Sequence, residues 1–579
     1  MSKKRVVIVG AGYAGVHLAK KLDRKLKGSQ VEILLINKGP YHTLLTDLHE
    51  VAGNRIRPEG VQVFLPAIFK GTNVQVIQDE IQSVDCEKQV VSSASREYHY
   101  DFLVLACGSE PAFYGIPGMK EHSFTLWSYE DALRIKEHVV EMFRLASREE
   151  DPSKRKELLT FVIGGGGFTG VEMAGELAEW VPELCAEYGI PQHEVNLILV
   201  EALPTILPNL RGSLIPRAVR AMQAKGITVF TNSPIVEVSS EEVVFKSGTR
   251  IKTRTLIWTG GVQAKEAVKG LGFKCSRRGR IQVNEHLQVV DHLNIYAVGD
   301  NACFVNEEGE LPALVEAALQ AADCVAENIK RQIEGKPQKE FKPNLHGVMV
   351  SIGSKYAVAD VMGFPSWGPP AMALKHLVNL HYLFGVGGFP LITRYLRLEF
   401  LNERGGLAGL YNHFVAKTPA FWLAILRIFL GIQWLISGIH KVQAGFLVSG
   451  DKLVSGSSLV PMGPGTPAWY AAFMEKVVFP HALLFQRLIT LGELALGIAF
   501  ILGLFTSLAA LGSIFMNLNF MLSGTGNIWF LVVSVAMLGG AGYSFGLDHY
   551  LMPFLKGFYR EWRYGGAKGA PAARGTLKA

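Results

Sequence analysis

Two short runs of branched apolar residues stand out in the first two hundred positions, and each is followed by glycines and then by a helix-forming segment. The first run lies within RVVIVGAGYAGVHLAKKL near the start of the chain, and the second within FVIGGGGFTGVEMAGE at residues 161–176. A brief apolar run that ends in a glycine turn predicts a buried strand, and the polar–apolar periodicity after it predicts a helix. Both patterns therefore predict strand–turn–helix units of an α/β fold.

A different pattern fills the last quarter of the chain, where long apolar runs occupy residues 420–439, 482–502, 505–523 and 528–547. About 20 apolar residues in a helix, at about 1.5 Å per residue, cross a hydrocarbon core of about 30 Å. The pattern predicts four transmembrane helices, so both ends of this module lie on one side. The tail after it is basic and places that side in the cytoplasm. Its charged residues are Lys556, Arg560, Glu561, Arg563, Lys568, Arg574 and Lys578.

Between these regions, residues 372–381 present a broad apolar stripe, and Arg394 and Arg397 follow among bulky apolar residues. Apolar bulk beside arginine is typical of a helix that lies on a membrane surface, although a helix packed on the nucleotide domains would show the same stripe. His376 and His381 lack the spacing of a metal-binding pair, so they are expected to serve packing, and no metal site is predicted.

Arg427 and Glu493 fall inside predicted spans, where an ionised side chain is costly and is usually paired. The prediction is an ion pair between the first two membrane helices, either beside the headgroup of a bound ligand or purely structural. An arginine that extends to the interface is the other alternative.

Both glycine turns have the G-x-G-x-x-G spacing of a dinucleotide-binding loop. In such a loop the first glycine permits a tight turn, the second lets the backbone approach a pyrophosphate, and the third lets helix and strand pack closely. The following helix offers unpaired N–H groups to the phosphates. Because both loops stand between a predicted strand and a predicted helix, two nucleotide sites are expected. The six glycines are Gly10, Gly12, Gly15, Gly165, Gly167 and Gly170.

The next strand after each loop indicates how the nucleotide ribose is bound. VEILLINK ends at Asn37, where an acidic residue is usual, and VNLILVEA ends at Glu201. A carboxylate there binds a ribose 2′-OH and repels a 2′-phosphate, which favours NADH over NADPH. The alternative for Glu201 is an ordinary solvated strand end.

Composition agrees with a membrane-linked enzyme in a reducing compartment. Hydrophobic residues make up 49% of the 579 positions and charged residues 19%. The net charge of +7 is diffuse, with no basic stripe among aromatics, so nucleic-acid binding is not expected. None of the six cysteines forms a C-x-x-C pair. The apolar run at the N-terminus is too short for a signal peptide and continues into the first glycine turn.

The segments NIYAVGDNACF, with Gly299 and Asp300, and YDFLVLACGSEP complete a resemblance to the two-dinucleotide-binding flavoprotein reductases over residues 3–335. The resemblance implies FAD at the first loop, NADH at the second and an aspartate beside the flavin. It adds several residues to the expected cofactor contacts, namely Tyr13, Ala14, Lys38, Ile81, Gly108 and Val315.

Within this superfamily the cysteine pattern argues against disulfide reduction and, because residues 150–175 and 336–360 contain no cysteine, against sulfide as donor. PYHTLLTDLHEVAG at 40–53 and GVEMAGEL resemble the type II NADH dehydrogenases, except that Thr46 and Asp47 replace a usual proline and leucine. The family places Glu172 near flavin and nicotinamide, although a carboxylate in a helix's first turn is also stabilised by the helix dipole alone.

The quinone-side signature A-Q-x-A-x-Q of that family falls on VEAALQ, where Gln320 is kept and Glu316 replaces the first glutamine. Two residues four apart share one helical face, so both are expected at the quinone site. Pro312 and Gly335 are expected in the first turn and at the end of that helix.

RIFLGIQWLISGIHK (427–441) and GELALGIAFILGLFT (492–506) resemble the DoxX family of four-helix membrane proteins, over about 419–550. The expected fold is α/β, with two Rossmann-like domains for FAD and NADH, an amphipathic membrane-associating segment and an all-α four-helix transmembrane domain. The ranges are 1–120 and 286–335 for FAD, 121–285 for NADH, 336–412 for membrane association, 413–556 for the DoxX-like domain and 557–579 for the tail.

The expected function is non-proton-pumping NADH:quinone oxidoreduction at the cell membrane, with the catalytic domain and the C-terminus in the cytoplasm. Glu172, Glu316 and Gln320 are the predicted catalytic residues, and a homodimer is left open. Two alternatives remain: a sulfur-compound:quinone oxidoreductase, and a redox-responsive NADH-binding flavoprotein without quinone turnover.

Overall fold

The computed structural model describes residues 4–307, 309–400, 421–453, 465–524 and 526–555. The chain forms two compact units, Met1–Phe414 and Val415–Ala579. The basic tail and residues 401–420 and 454–464 lie outside the described residues.

The first half of unit 1 is built on a parallel sheet of five strands. Their order across the sheet is Ile295–Ala297, Phe102–Leu105, Lys4–Val9, Val31–Asn37 and Val74–Gln78. The three inner strands are mostly apolar and buried, as expected when both faces of a parallel sheet are covered. The last strand in sequence, Ile295–Ala297, returns to this sheet from beyond the second domain, which makes the domain discontinuous.

A second parallel sheet repeats the arrangement. Its strands, in order across the sheet, are Phe124–Thr125, Thr255–Trp258, Thr160–Gly164, Asn196–Val200 and Ile227–Phe230. Each glycine loop follows the central strand of its sheet, and the carboxyl ends of parallel strands meet at one edge. Two Rossmann-like domains therefore place their loops as the sequence predicts.

Smaller sheets connect and extend these domains. Three-stranded sheets comprise Ile81–Asp85, Val90–Ser93 and Glu97–His99, and Ile235–Val238, Glu242–Phe245 and Arg250–Lys252. Two-stranded antiparallel pairs are Tyr41–Thr43 with Gln62–Phe64, Ser109–Pro111 with Val262–Ala264, and Val305–Asn306 with Gly309–Glu310, whereas Ile281–Gln282 pairs with Ala302–Cys303 in parallel.

Four helices of these domains matter for the site, and we label them α1 (Tyr13–Lys25), α2 (Leu48–Ala52), α3 (Phe168–Tyr188) and α4 (Val315–Ile333). Helix α4 begins at Val315, so the expectation that Pro312 lies in its first turn is wrong. Gly335 follows the end of α4 with φ of 67°, as expected for a glycine that ends a helix. The other helices are Leu65–Ile68, Met119–His122, Tyr129–Ala146, Pro152–Leu158, Ile215–Ala224 and Glu266–Lys269.

The last part of unit 1 is an antiparallel sheet followed by a helical hairpin. The strands are Gly347–Ser351, Ala357–Val361 and Phe364–Gly368, and the helices are α5 (Pro369–Gly387) and α6 (Phe389–Phe400). Leu377, Phe384 and Phe389 of the hairpin are exposed. Met372, Leu383 and Val386 of α5 are buried in unit 1, so part of the stripe packs on the nucleotide domains, and membrane contact of the exposed part stays a prediction.

Unit 2 is helical. Its main helices are α7 (Phe421–Gln443), α8 (Ala482–Leu502), α9 (Thr506–Leu522) and α10 (Ile528–Met537), with the short helix Ala468–Phe473 before α8. Helix α7 and the continuous helical run Ala468–Leu502 are long and apolar enough to cross a membrane. Helix α9 has 17 residues and α10 only 10.

The span predicted at 528–547 is therefore shorter than expected. Helix α10 ends before two glycines, and Gly540 adopts φ of 90°, a left-handed conformation that a helix cannot continue through. A short turn, Ala541–Tyr543, follows in place of a further helical turn.

The predicted ion pair between Arg427 and Glu493 is wrong. Both side chains are fully buried, but the Glu493 carboxylate accepts from Lys441 Nζ at 2.8 and 2.9 Å. The Arg427 guanidinium donates instead to the carbonyl oxygens of Ala541, at 3.3 Å, and Phe545, at 2.9 Å. Arg427 lies close to the N-terminal end of α7, far along the helix from the level at which Glu493 packs.

Candidate functional site

The two glycine loops have the same geometry, position by position. Gly10 and Gly165 have φ of 103° and 113°, which allow the tight turn. A Cβ atom on Gly15 would lie 1.9 Å from the carbonyl oxygen of Gly10, and one on Gly170 would lie 1.9 Å from that of Gly165. The third glycine of each loop is therefore required by packing.

The middle glycines differ from their neighbours because they face open space. A Cβ atom on Gly12 or on Gly167 would meet no atom within 4 Å. Each stands at the N-cap of its helix, α1 or α3, where backbone N–H groups are unpaired. This arrangement fits the pyrophosphate of a dinucleotide at both loops.

Asn37 and Glu201 perform the same structural task at the ends of their strands. The Asn37 Oδ1 atom accepts from the backbone N–H of Ala11 at 2.9 Å. The Glu201 Oε2 atom accepts from the equivalent N–H of Gly166 at 2.6 Å, and its Oε1 atom accepts from Leu203 at 2.8 Å. Glu201 is thus a buried loop anchor, which differs from the alternative of a solvated strand end.

The late Gly-Asp turn meets the first loop. The Asp300 carboxylate accepts from the hydroxyl of Ser109 at 2.7 Å, and the Asn301 Oδ1 atom accepts from the backbone N–H of Gly108 at 3.3 Å. A Cβ atom on Gly299 would lie 3.4 Å from the Ala14 side chain. The structure therefore brings Ala14, Gly108 and the turn together.

A cavity of about 590 Å³ opens beside this turn. Ser109 and Asp300 line it from the first domain, and Phe168, the first residue of α3, lines it from the second. Such a volume is in the usual range for a small-molecule site. Residues of both nucleotide domains therefore face one space, as hydride transfer between two bound nucleotides requires.

The remaining predicted cofactor contacts are more scattered. Lys38 forms an exposed ion pair with Glu80 at 3.0 Å, and Ile81 is half-buried at the start of a strand. Tyr13 begins α1, and its ring packs between His42 and Tyr382 with ring centroids 5.2 and 5.0 Å apart. Val315 begins α4 and is half-buried.

Glu172 lies in a buried charged cluster that joins α2, α3 and α5. Its Oε1 atom accepts from the backbone N–H and the hydroxyl of Ser351 at 3.4 and 3.3 Å. Lys375 Nζ donates to Glu50 at 3.0 Å and to the Ser351 hydroxyl at 3.1 Å. Ser351 therefore links the carboxylate of Glu172 to the ammonium of Lys375.

Burial and neighbouring charges shift the pKa values of Glu172 and Lys375 in opposite directions. Burial raises the pKa of Glu172 to about 7, although Lys375 opposes that shift. Burial alone would lower the pKa of Lys375, but Glu50 and Glu172 outweigh it and raise that pKa above its ordinary value. The lysine is a fixed charge, and Glu172 is a group that titrates near neutrality.

Arg55 extends the cluster from the other side. Its Nε atom donates to both oxygens of Glu176, at 3.1 and 3.0 Å, and Nη2 lies 2.5 Å from Glu50. A third contact joins Arg55 to Glu399 of α6. Buried charges need such pairing because each loses its hydration on folding.

Sequence analysis missed Lys375, Arg55 and Ser351. A signal existed for Lys375, since it lies on the apolar stripe of α5, three residues after Met372 and three before Val378. A charged residue on such a face indicates a buried partner.

Glu316 and Gln320 lie side by side on α4. Both contact the segment that immediately precedes the first strand of the antiparallel sheet, Gly347–Ser351. Gln320 Nε2 donates to Glu316 at 3.1 Å and to the carbonyl oxygen of Asn344 at 2.7 Å. Glu316 Oε1 lies 2.5 Å from His346 Nδ1. Both predicted quinone-side residues are thus partly exposed and joined to the segment at 344–346.

Two glycine-loop domains whose residues line one cavity define the class, a two-dinucleotide-binding oxidoreductase. Comparison with known proteins agrees: the family model described as pyridine nucleotide-disulphide oxidoreductase matches residues 4–322, and the DoxX model matches 422–526. A type II NADH:quinone oxidoreductase of Staphylococcus aureus (strain NCTC 8325 / PS 47) is 33% identical over 396 residues, which cover 67% of this chain and 97% of that protein. The chain belongs to the type II NADH:quinone oxidoreductases and has a C-terminal DoxX domain.

Solved structures support the fold. The NDH2 of Plasmodium falciparum in complex with NADH superposes with a TM-score of 0.62 at 16% identity, covering 68% of this chain and 98% of that one. The sulfide:quinone oxidoreductase of Aquifex aeolicus superposes with a TM-score of 0.56 at 19% identity, covering 72% and 96%. The α/β part of the predicted fold is confirmed.

Proposed function

We propose that this protein oxidises NADH and passes its electrons through FAD to a membrane quinone without pumping protons. The observation that carries the proposal is the shared cavity. Ser109 and Asp300 of the first nucleotide domain line it together with Phe168 of α3. FAD, when bound, supplies a two-electron acceptor for hydride. The protein's own part is to hold both nucleotides, exclude water and control protons.

The second loop and Glu201 hold NADH. Gly167 leaves room for the pyrophosphate, and the helix dipole of α3 favours its negative charge. Glu201 keeps free lone pairs for the ribose hydroxyls after accepting two backbone N–H groups. Its charge disfavours the 2′-phosphate of NADPH.

Glu172 and Lys375 control charge near the reacting groups. Glu172 accepts from Ser351 and titrates near neutrality, whereas Lys375 remains charged. A carboxyl group with a pKa close to the working pH suits proton exchange, because both protonation states are populated.

Quinone is proposed to enter on the side of α4, α5 and α6, where Glu316 and Gln320 are partly exposed. Apolar residues of the α5–α6 hairpin, among them Leu377 and Phe389, are exposed and suit contact with lipid. The basic composition of the tail supports a cytoplasmic position for the catalytic unit, and homodimerisation is a separate prediction.

The test is NADH oxidation by the protein in liposomes, with and without quinone in the bilayer. Rapid oxidation that requires quinone would support the proposal. Flavin that NADH bleaches but quinone does not restore would contradict it and favour the redox-responsive alternative. Sulfide and thiosulfate serve as control donors, because flavin reduction by either would favour the sulfur-compound alternative.

A further inference from the structure

Asp47 is a buried carboxylic acid at a position where the type II dehydrogenases usually have leucine. It ends the short turn Leu45–Asp47 immediately before α2, and its side chain is buried. Leucine would need no partner there, whereas a buried carboxyl group requires hydrogen bonds or a proton. Its surroundings supply both.

A chain of hydroxyl groups connects Asp47 with the first glycine loop. The Thr46 hydroxyl donates to Asp47 Oδ1 at 3.3 Å, and the Tyr13 hydroxyl lies 2.8 Å from Thr46 Oγ1. Tyr13 follows Gly12 directly. Each hydroxyl can donate and accept, so a proton on Asp47 can move to the tyrosine that stands at the FAD loop.

The other side of Asp47 faces a small cavity beneath the α5–α6 hairpin. The cavity has a volume of about 20 Å³, and Asp47, Glu50, Tyr395 and Glu399 line it. That volume accommodates about one water molecule. Asn379 Nδ2 of α5 lies 3.5 Å from Asp47 Oδ1. Water on this side can return a proton to the carboxylate.

The charges around Asp47 favour its neutral form. Burial raises the pKa of Asp47 to about 8, the carboxylates of Glu50 and Glu399 act in the same direction, and Lys375 and Arg55 oppose them. Among the described residues, the titratable and charged groups that interact with it are Tyr13, Glu50, Arg55, Lys375, Tyr395 and Glu399.

We propose that Asp47 supplies, through the hydroxyls of Thr46 and Tyr13, the proton that quinone reduction consumes. The inference rests on the proposed function. Overall, NADH, one proton and quinone give NAD⁺ and quinol. Reduction of quinone to quinol takes two electrons and two protons. The hydride of NADH brings both electrons and one proton, so one further proton must be provided. The O–H bond of Asp47 breaks, the Thr46 and Tyr13 hydroxyls each accept one proton and release another, and an O–H bond forms on a quinone oxygen. The Asp47 carboxylate regains a proton that cavity water passes on from bulk solution.

The first test separates the two half-reactions in liposomes across a range of pH. We expect the wild-type protein, once reduced by NADH, to be reoxidised by quinone more slowly as pH rises through about 8, because the proton donor is then lost. D47N should slow reoxidation by about 10- to 100-fold and abolish that pH dependence, as removal of a positioned proton donor does. Reduction by NADH should change little.

Two further variants keep the test decisive. T46V retains the carboxyl group but breaks the hydroxyl chain, so quinone reoxidation should slow as in D47N. E157Q removes another buried carboxylate, one that pairs with Lys252 in the NADH domain, and should leave the pH profile unchanged.

A second readout does not depend on turnover. Infrared difference spectra should show the carbonyl band of a protonated carboxylic acid near pH 7 in the wild type and in T46V. Because Glu172 and Glu176 also titrate near 7, the Asp47 band is the part of this signal that D47N lacks, and that part should disappear from the wild type as pH rises through about 8.

The outcomes distinguish this inference from the proposed function. Wild-type turnover with quinone, together with unchanged rates in D47N and T46V or with a carboxylic acid band that D47N retains in full, would overturn the role of Asp47 alone. A wild-type protein that NADH reduces and quinone cannot reoxidise would overturn both.

Discussion

At the scale of single residues, the structure separates side chains that anchor a loop from side chains that titrate. Glu201 is an anchor, because both its oxygens accept backbone N–H groups beside the second glycine loop. Glu172 is a titrating group, because burial moves its pKa to about 7. Each assignment leads to a different measurement.

Substitution of Glu201 by glutamine should reduce the preference for NADH. The amide keeps an oxygen for the Gly166 N–H but loses the charge that repels a 2′-phosphate. We expect the ratio of kcat/KM for NADH to that for NADPH to fall by about tenfold, equivalent to about 1.4 kcal/mol. Steady-state kinetics with both nucleotides measure this ratio, and an unchanged ratio would show that selectivity lies elsewhere.

Substitution of Glu172 by glutamine should remove a pH dependence near neutrality. The carboxyl group is neutral below its pKa of about 7 and charged above it. Because positive charge develops on the nicotinamide as hydride leaves, flavin reduction by NADH should accelerate as pH rises through 7 in the wild type. E172Q should keep the slower rate throughout, by about tenfold. Stopped-flow absorbance of the flavin is the measurement, and a wild-type rate that is flat across pH 7 would contradict the assignment.

Local sequence predicted residues whose task depends on local backbone and missed those that depend on distant partners. Gly10, Gly12 and Gly15 were predictable because strand, turn and helix are contiguous. Lys375 was not singled out because its partners, Glu50 and Ser351, are far away along the chain. Asn37 departs from the usual acidic residue, yet its amide oxygen anchors the first loop as the Glu201 carboxylate anchors the second.

At the scale of elements, buried charges join helices that the sequence leaves far apart. In the membrane unit, Lys441 of α7 and Glu493 of α8 form such a link, and the Ser437 hydroxyl accepts from the same ammonium at 3.1 Å. The sequence pointed to Arg427 because it lies within the apolar run, whereas Lys441 lies beyond residue 439, where that run was taken to end. Helix α7 continues to Gln443, and only the packing register of α7 on α8 selects the partner.

Removal of one partner of this pair should destabilise the membrane unit more than removal of both. K441M or E493Q alone leaves a buried group without its partner, which costs about 3–5 kcal/mol. The double variant K441M/E493Q should recover most of that loss. Unfolding in mixed micelles by titration with a denaturing detergent measures the stability of all four proteins. Single variants as stable as the wild type would show that water or lipid headgroups already solvate the pair.

At the scale of the whole molecule, the chain combines an NADH-oxidising unit with a helical membrane unit of a different family. Composition located the second unit, because its apolar runs are long and continuous. Composition overestimated the length of the last helix, because a count of apolar residues does not show that α10 ends before Gly539 and Gly540. The four predicted spans are thus two helices of spanning length and two shorter ones within the described residues.

The predicted orientation gives a further whole-molecule measurement. If the catalytic unit faces the cytoplasm, inverted membrane vesicles should oxidise added NADH, which does not cross the bilayer. Sealed vesicles of the native orientation should oxidise it only after permeabilisation. Equal rates in both sealed preparations would contradict the orientation, and vesicles that lack the protein control for other dehydrogenases.

The different anchors of the two glycine loops have a consequence for how selectivity is distributed. FAD binds once as a prosthetic group and has no abundant phosphorylated analogue. The first site therefore needs no charge against such an analogue and can use the neutral amide of Asn37. NADH, in contrast, binds anew in every catalytic cycle from a pool that also contains NADPH. The negative charge is therefore retained at Glu201, the one of these two positions at which NADPH competes for binding.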